Sequence, residues 1–155
     1  MDKDTGDWHV DVGGNRLTVT YQGNVGIGTT VPTAKLEVAG GETIVEQEAW
    51  QLPVFANGWV NYSNAYSHAG YFKDSVGVVH LRGLIKNGTL TEMAFTLPVG
   101  YRPAKRGVFS VITDSGSFSD VAVGRMDIKG AGQVIPVAGS NSWISLEGVT
   151  FRAEQ

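Results

Sequence analysis

The sequence predicts an all-β protein, and three observations carry that expectation. Val, Thr, Tyr, Phe and Trp recur at alternate positions through most of the chain, the pattern of a half-buried strand. There are 21 glycines in 155 residues, matching many turns. Charged residues make up only 17%, and few stretches carry the Leu/Ala/Glu/Lys mix of long surface helices. The length suits one domain with a real core, or a small shaft followed by a head.

Residues 1–22 read as a hairpin. Trp8, Val10 and Val12 alternate with His9 and Asp11, Gly13-Gly-Asn15 signals a turn, and Leu17, Val19 and Tyr21 alternate with Thr18 and Thr20. A lone hairpin is barely stable in water, so its apolar face needs cover from a head or from sister chains.

The stretch Gly23-Asn-Val-Gly-Ile-Gly-Thr-Thr-Val-Pro-Thr-Ala-Lys-Leu-Glu-Val38 reads as strand, turn, strand. Val25 and Ile27 alternate with Gly26 and Gly28, so one side of that strand carries almost no side chain. Such a bare side suits a close approach of another backbone. A single chain can supply that backbone, but three chains wound about one axis explain it more naturally. Pro32 has no N–H for a ladder and ends the run.

Over residues 41–52, Thr43-x-x-Glu46 has the form of a capping box, and Val45, Ala49 and Leu52 share one helical stripe. A short neck helix supported by symmetry mates is expected there. An extended linker is the alternative, since about ten residues do not hold a helix alone.

From Leu52 onward the pattern is continuously β. Asn57-Gly58 and Asn87-Gly88 are turn signals, and residues 63–70 form a polar and aromatic loop. One long strand is expected over 76–86, with Gly77, Val79, Leu81, Gly83 and Ile85 on its core face. Met93, Phe95 and Leu97 share a face. Further strands are expected over 108–113, 121–128 and 133–137. The last, over 143–152, needs a bulge at Gly148 to return Val149 and Phe151 to the core. Seven or more short strands with regular turns mean a sandwich or a barrel.

Composition also excludes functions. A net charge of −3 and a pI near 5.5 argue against nucleic-acid binding, and the adjacent pair Lys105-Arg106 reads as a solvated turn. The absence of cysteine removes disulfides, zinc–thiolate sites and thiol nucleophiles. No apolar run approaches the ~18 residues of a membrane span. Met1-Asp-Lys-Asp lacks a hydrophobic stretch behind it, so no signal peptide is expected. The abrupt start also fits a C-terminal fragment of something longer.

Candidate sites are sparse. Gly26-x-Gly28 lacks the third glycine of a dinucleotide loop, with Val31 in its place and Pro32 blocking a helix. There is no Gly-x-Ser-x-Gly elbow for the three histidines His9, His68 and His80 to serve. The carboxylates Asp74, Glu92, Asp114, Asp120 and Asp127 show no local pairing for glycoside hydrolysis. His9-x-Asp11 puts two potential metal ligands on one strand face, or simply a solvent-facing pair; His80-x-Arg82 faces a trimer axis or a groove, or is a satisfied surface pair. No cofactor is expected.

Sugars need aromatic faces for their C–H surfaces and planar polar groups for their hydroxyls. Trp59, Tyr62, Tyr66, His68 and Tyr71, with Asp74 nearby, are the best match, Tyr66 and His68 lying within the loop. Trp59 and Tyr71 have the alternative of being framework core, as does Trp143. Arg125 and Asp127 share a strand face ~7 Å apart, to pair with each other or to bracket a polar ligand.

Residues 23–38 resemble, residue for residue, a unit common in the shafts of phage tail fibres and related trimeric receptor-binding proteins. The segments Asn57-Gly-Trp-Val-Asn-Tyr62, Tyr71-x-Lys-Asp74, Gly77-x-Val-His-Leu-Arg-Gly83, Leu97-Pro-x-Gly-Tyr-Arg-Pro103 and Trp143-Ile-Ser-Leu-x-Gly148 resemble the C-terminal head of such fibres. Related heads occur on tail-derived injection particles. The resemblance implies a homotrimer with a short intertwined β shaft (1–40), a neck or linker (41–53) and a jelly-roll-like antiparallel β-sandwich head (54–155). It implies a virion tail or extracellular particle as the location, and a host-surface glycan or surface protein as the partner. Two other readings stand beside it: a module that only trimerises and registers a longer fibre, and an enzyme acting on surface polysaccharide. No contact residue follows from the resemblance, because its framework motifs are specific and its receptor loops are not.

Overall fold

The computed structural model describes residues 6–12, 15–117 and 120–154, with only the backbone described at residues 11, 12, 15 and 16. The described residues form strands and no helix. The chain divides into two compact units, residues 1–45 and 46–155.

The first unit is a four-stranded sheet in chain order: β1 (Trp8–Val12), β2 (Asn15–Val19), β3 (Val25–Ile27) and β4 (Leu36–Val38). The expected hairpin is β1 and β2, paired Trp8 to Val19 and Val10 to Leu17, while its Gly13-Gly14 turn lies outside the described residues. The stitch holds a parallel pair, β3 against β4, joined by residues 28–35. That connection is short for parallel strands. It fits because it folds down over the bare side of β3.

A Cβ at Gly26 would lie 2.7 Å from the Thr29 carbonyl oxygen and 3.4 Å from Pro32 Cβ, and one at Gly28 would strike the Ala39 carbonyl. Thr18, facing the same side, is fully buried. Glu37 closes the loop by accepting from the Thr33 N–H (2.7 Å) and hydroxyl (2.9 Å). This corrects the expectation that sister chains fill the space beside the glycines: the chain's own loop and Ala39 fill it. The opposite side is the uncovered one. Register places Trp8, Val19, Val25 and Leu36 in one row and Val10, Leu17, Ile27 and Val38 in a second. Seven of these eight are exposed, from Val19 at 38% to Leu36 at 64%.

The second unit opens with an extended segment, the linker alternative, and the short helix expected over 41–52 does not form. Tertiary bonds outweigh the helical spacing here. Gln51 exchanges both backbone hydrogen bonds with Tyr71 (2.8 and 2.9 Å). Glu48 accepts from the Lys73 N–H (2.6 Å) and the Tyr101 hydroxyl (2.7 Å). Trp50 packs edge-on to Phe72 at 4.5 Å, with the Arg82 guanidinium over its ring.

Beyond this segment lie two sheets. The larger runs β5 (Val60–Asn61), β8 (Leu84–Lys86), β13 (Ile144–Ser145), β10 (Gly107–Asp114), β11 (Val121–Ile128), β12 (Gln133–Ala138), β9 (Phe95–Thr96). The smaller is β14 (Thr150–Arg152), β7 (Val78–Arg82) and β6 (Gly70–Lys73). Val79, Leu81 and Tyr71 from the small sheet meet Ile85, Phe95, Met126, Ile128, Val134 and Ile144 from the large one in a single core. Apolar burial of this kind stabilises by about 25 cal/mol per Å².

The single strand expected over 76–86 is two strands in different sheets. Gly83, at φ +102°, turns the chain from the small sheet into the large one, and its missing side chain admits the backbone of His68 and Ala69. The last strand is likewise two. The chain leaves the large sheet after β13, turns at Gly148 (φ +79°) and joins the small sheet as β14. The two crossings are tied together: Leu146 N–H donates to Gly83 O (2.8 Å), and Gly83 N–H donates to Glu147 Oε1 (2.9 Å). Strands that change sheet in this way make the corner of a sandwich.

Candidate functional site

An aromatic trough opens on the outward face of the large sheet. Its position follows from pleating. In β10, Val111 and Thr113 point to the core, so Ile112 and Asp114 point out; beside them, Ile144 points in and Trp143 out. The loop after β5 arches over the same face. It is pinned to β8 by Tyr62 N–H to Leu84 O (2.8 Å) and Leu84 N–H to Ser67 O (3.1 Å). Tyr62 and Tyr66 meet edge to face, 5.3 Å between ring centroids. The facing loop is fixed from beneath by buried Thr113, whose hydroxyl lies 2.7 Å from Trp143 O and accepts from Ser140 N–H.

Tyr62, Tyr66 and Trp143 are shared by the trough's two halves. One, of about 430 Å³, continues over Leu84, Ile112 and Glu147. The other, of about 580 Å³, continues over Asp114, Asp120 and Ser142. Both lie in the usual size range of small-ligand sites. The smaller half has mostly apolar walls and the larger half mostly polar ones, which together suit a ligand that has one greasy and one hydroxylated face.

The residues singled out in the sequence fall in several places. Tyr62 and Tyr66 line the trough. His68, in the same loop, holds Asn64 through Nε2 at 3.2 Å. Trp59 is only 1% exposed, packed under Gly88, so its ring faces no ligand. Tyr71 is also core, edge-on to Tyr101 at 5.3 Å. Burial, then the nearby Glu48 charge, raises its phenol pKa. Tyr101 is pushed the same way by burial and by its bond to Glu48.

Asp74 lies in the turn between β6 and β7 of the small sheet and does not line the trough. Its Oδ2 lies 2.9 Å from His80 Nε2, and its Oδ1 accepts from the N–H groups of Val76 and Val78. The His80 bond, then the Val78 and Val76 N–H groups, hold its carboxyl below the usual range. His80 stacks on Phe72 at 4.7 Å. Arg125 and Asp127 pair with each other through two bonds. His9 lies 3.1 Å from the Thr18 hydroxyl, and the Asp11 side chain falls outside the described residues. Among the described residues, no three His, Asp or Glu side chains cluster as a metal site.

Three further residues join the trough: Trp143, weighed from sequence against a core role, Asp114, named only among the hydrolase carboxylates, and Glu147, which sequence reasoning missed. The signal for Trp143 was its place next to the Ser140-Asn141 loop, at the start of a strand whose next residue is buried.

With the geometry in place, the fold can be compared with known ones. It is that of a phage receptor-binding protein. The chain is similar to the receptor binding protein gp15 of Listeria phage PSA, with a TM-score of 0.54 at 19% identity, over 69% of this chain and 66% of that one. It is also similar to the head domain of the lactococcal phage bIL170, with a TM-score of 0.45 at 16% identity, over 68% of this chain and 98% of that one. The chain thus spans just under two thirds of the Listeria phage protein. No protein-family profile and no curated protein matches the sequence.

Proposed function

We propose that this chain is the receptor-binding tip of a tail fibre, attaching a virion or an extracellular tail-like particle to a host cell by weak, multivalent binding of surface carbohydrate. The observation that carries the reading is the Tyr62–Tyr66–Trp143 trough: one exposed and two half-buried aromatic side chains beside carboxylates and hydroxyls, on an outward sheet face. The fold held in common with a phage receptor binding protein supports it. In this reading the protein binds and does not catalyse. Each site has millimolar affinity, and repetition raises avidity by ~10²–10⁴.

The active form is a homotrimer. Its support is the two-row apolar face of the first sheet, which the chain's own loop leaves uncovered. An apolar surface of that regularity is a mark of an interaction site. The same face also favours a second reading, in which the chain mainly registers a longer fibre and recognition lies elsewhere.

The test is adsorption. Purified protein should block attachment of its parent particle to host cells, and Tyr66→Ala with Trp143→Ala should abolish the block without unfolding the head. Failure of the unsubstituted protein to block would favour the registration reading, and blocking by the double variant would move the receptor site off the trough. Release of reducing ends from host polysaccharide would replace both with an enzyme. Sedimentation equilibrium should give three chains at micromolar concentration, and a stable monomer would remove the trimer.

A further inference from the structure

The sign of the trough's charge goes beyond its aromatic character. Asp114 and Glu147 stand at its two halves. Each spends one oxygen on a backbone N–H: Asp114 Oδ1 on Gly116 (3.0 Å), Glu147 Oε1 on Gly83 (2.9 Å). Those bonds fix the carboxylates in place, and the second oxygen of each makes no hydrogen bond within the described protein. Asp120 adds a third negative group to the larger half. Among the described lining residues there is no Lys, Arg or His. Lys86 approaches the aromatic wall, its Nζ 5.0 Å from the Tyr62 ring centroid and engaged with that ring.

From this we infer that the trough selects by charge, taking uncharged or amino-bearing sugar units and rejecting glycans that carry carboxylate or phosphate. The inference rests on the carbohydrate reading above and deepens it. The chemistry is direct. A hydroxyl or an ammonium donates to a carboxylate oxygen, and a charge-assisted bond of that kind is the stronger one. An anionic sugar brings a like charge against fixed carboxylates, in a cleft where water screens them less than in bulk. The two halves differ in a second way. Leu84 and Ile112 give the smaller one an apolar floor, suited to a methyl or acetyl group, while Asp114, Asp120 and Ser142 give the larger one acceptors for hydroxyls or an ammonium. A ligand of at least two sugar units satisfies both.

The experiment titrates the full chain with matched disaccharides, in gluco, galacto and manno series, each in neutral N-acetyl, free amino and uronic-acid forms. Binding is read by saturation-transfer NMR at fixed ionic strength, with host-cell adsorption measured on the same preparation. In at least one series the neutral and amino forms should bind, and the uronic form should bind about tenfold more weakly. Asp114→Asn with Glu147→Gln keeps the backbone-accepting oxygens and should narrow that gap to about twofold. Equal binding of the uronic form, or an unchanged gap in the double variant, overturns the inference. Adsorption to cells with no disaccharide bound overturns it while leaving the attachment reading intact. Charge-selective binding without adsorption supports the inference and removes the attachment reading.

Discussion

Arg125 grips Asp127 two residues along the same face of β11, with Nε at 2.8 Å from Oδ1 and Nη2 at 2.9 Å from Oδ2. The Asp127 carboxylate is only 2% exposed, while Arg125 is half open to water. The bond and charge of Asp127 raise the guanidinium's pKa further. Of the two roles set out for this pair, the bidentate ion pair is the one the geometry forms. Arg125→Met should cost the head about 2 kcal/mol in chemical denaturation, because a buried carboxylate is left with Arg106 at 3.6 Å as its remaining partner. A loss under about 0.5 kcal/mol would mean that water reaches Asp127 when Arg125 is absent.

The glycines of the first sheet are not equivalent. Gly28→Ala combines a φ of +76° with a collision at the Ala39 carbonyl, and should destabilise residues 6–45 by about 2 kcal/mol or more. Gly23→Ala has the same φ but open space around it, and should cost about 1 kcal/mol. Hydrogen exchange of the β3 and β4 amides separates the two variants. Equal effects would mean that the packing of Ala39 on Gly28 contributes nothing.

Acid should weaken the head in a defined direction. The folded-state pKa of Asp74 is depressed, mainly by His80, so its contribution is full above the unfolded value of about 4 and is lost as pH falls through the folded value. Glu48 acts in the same direction: burial pushes its pKa up, but bonds from Lys73, Tyr101 and Gln51 together outweigh that. Urea midpoints followed from pH 5 down to 2 should fall, and the fall should be shallower in Asp74→Asn. An identical slope in that variant would assign the acid sensitivity elsewhere.

Aromatic substitutions should divide stability from binding. Trp59→Ala removes a ring buried in the core and should cost about 3–5 kcal/mol, so its loss of adsorption says nothing of the ligand. Tyr66, 55% exposed, should change stability by under about 0.5 kcal/mol as Tyr66→Ala and still lose adsorption. Thermal melts beside the adsorption assay check both.

Period-two alternation revealed the strands of both units, because a half-buried strand must sort its side chains. It was blind at Gly83. Leu81, Gly83 and Ile85 keep perfect alternation, so nothing in the pattern marks the change of sheet; the positive φ does. The same holds at Gly148, where a turn between sheets reads as a bulge in one strand. The spacing of Val45, Ala49 and Leu52 fits a helix, but the pull on Glu48 and Gln51 comes from residues twenty or more positions away. Tyr62 and Tyr66 were legible as a loop pair. Trp143 was not, because an outward-facing tryptophan and a core one look alike until the sheet's facing is known.

The antiparallel doublet between Gln51 and Tyr71 has a mechanical meaning. Tension drawn along residues 41–46 does not reach the strand core first. It arrives at the Gln47–Ser75 bonds, then at the Glu48 carboxylate held by Lys73 and Tyr101, and then at that doublet. Polar links therefore carry the load in series ahead of the sandwich, acting as a fuse that lets the leading segment peel while the sheets, and the trough on the outer face of the larger one, keep their shape.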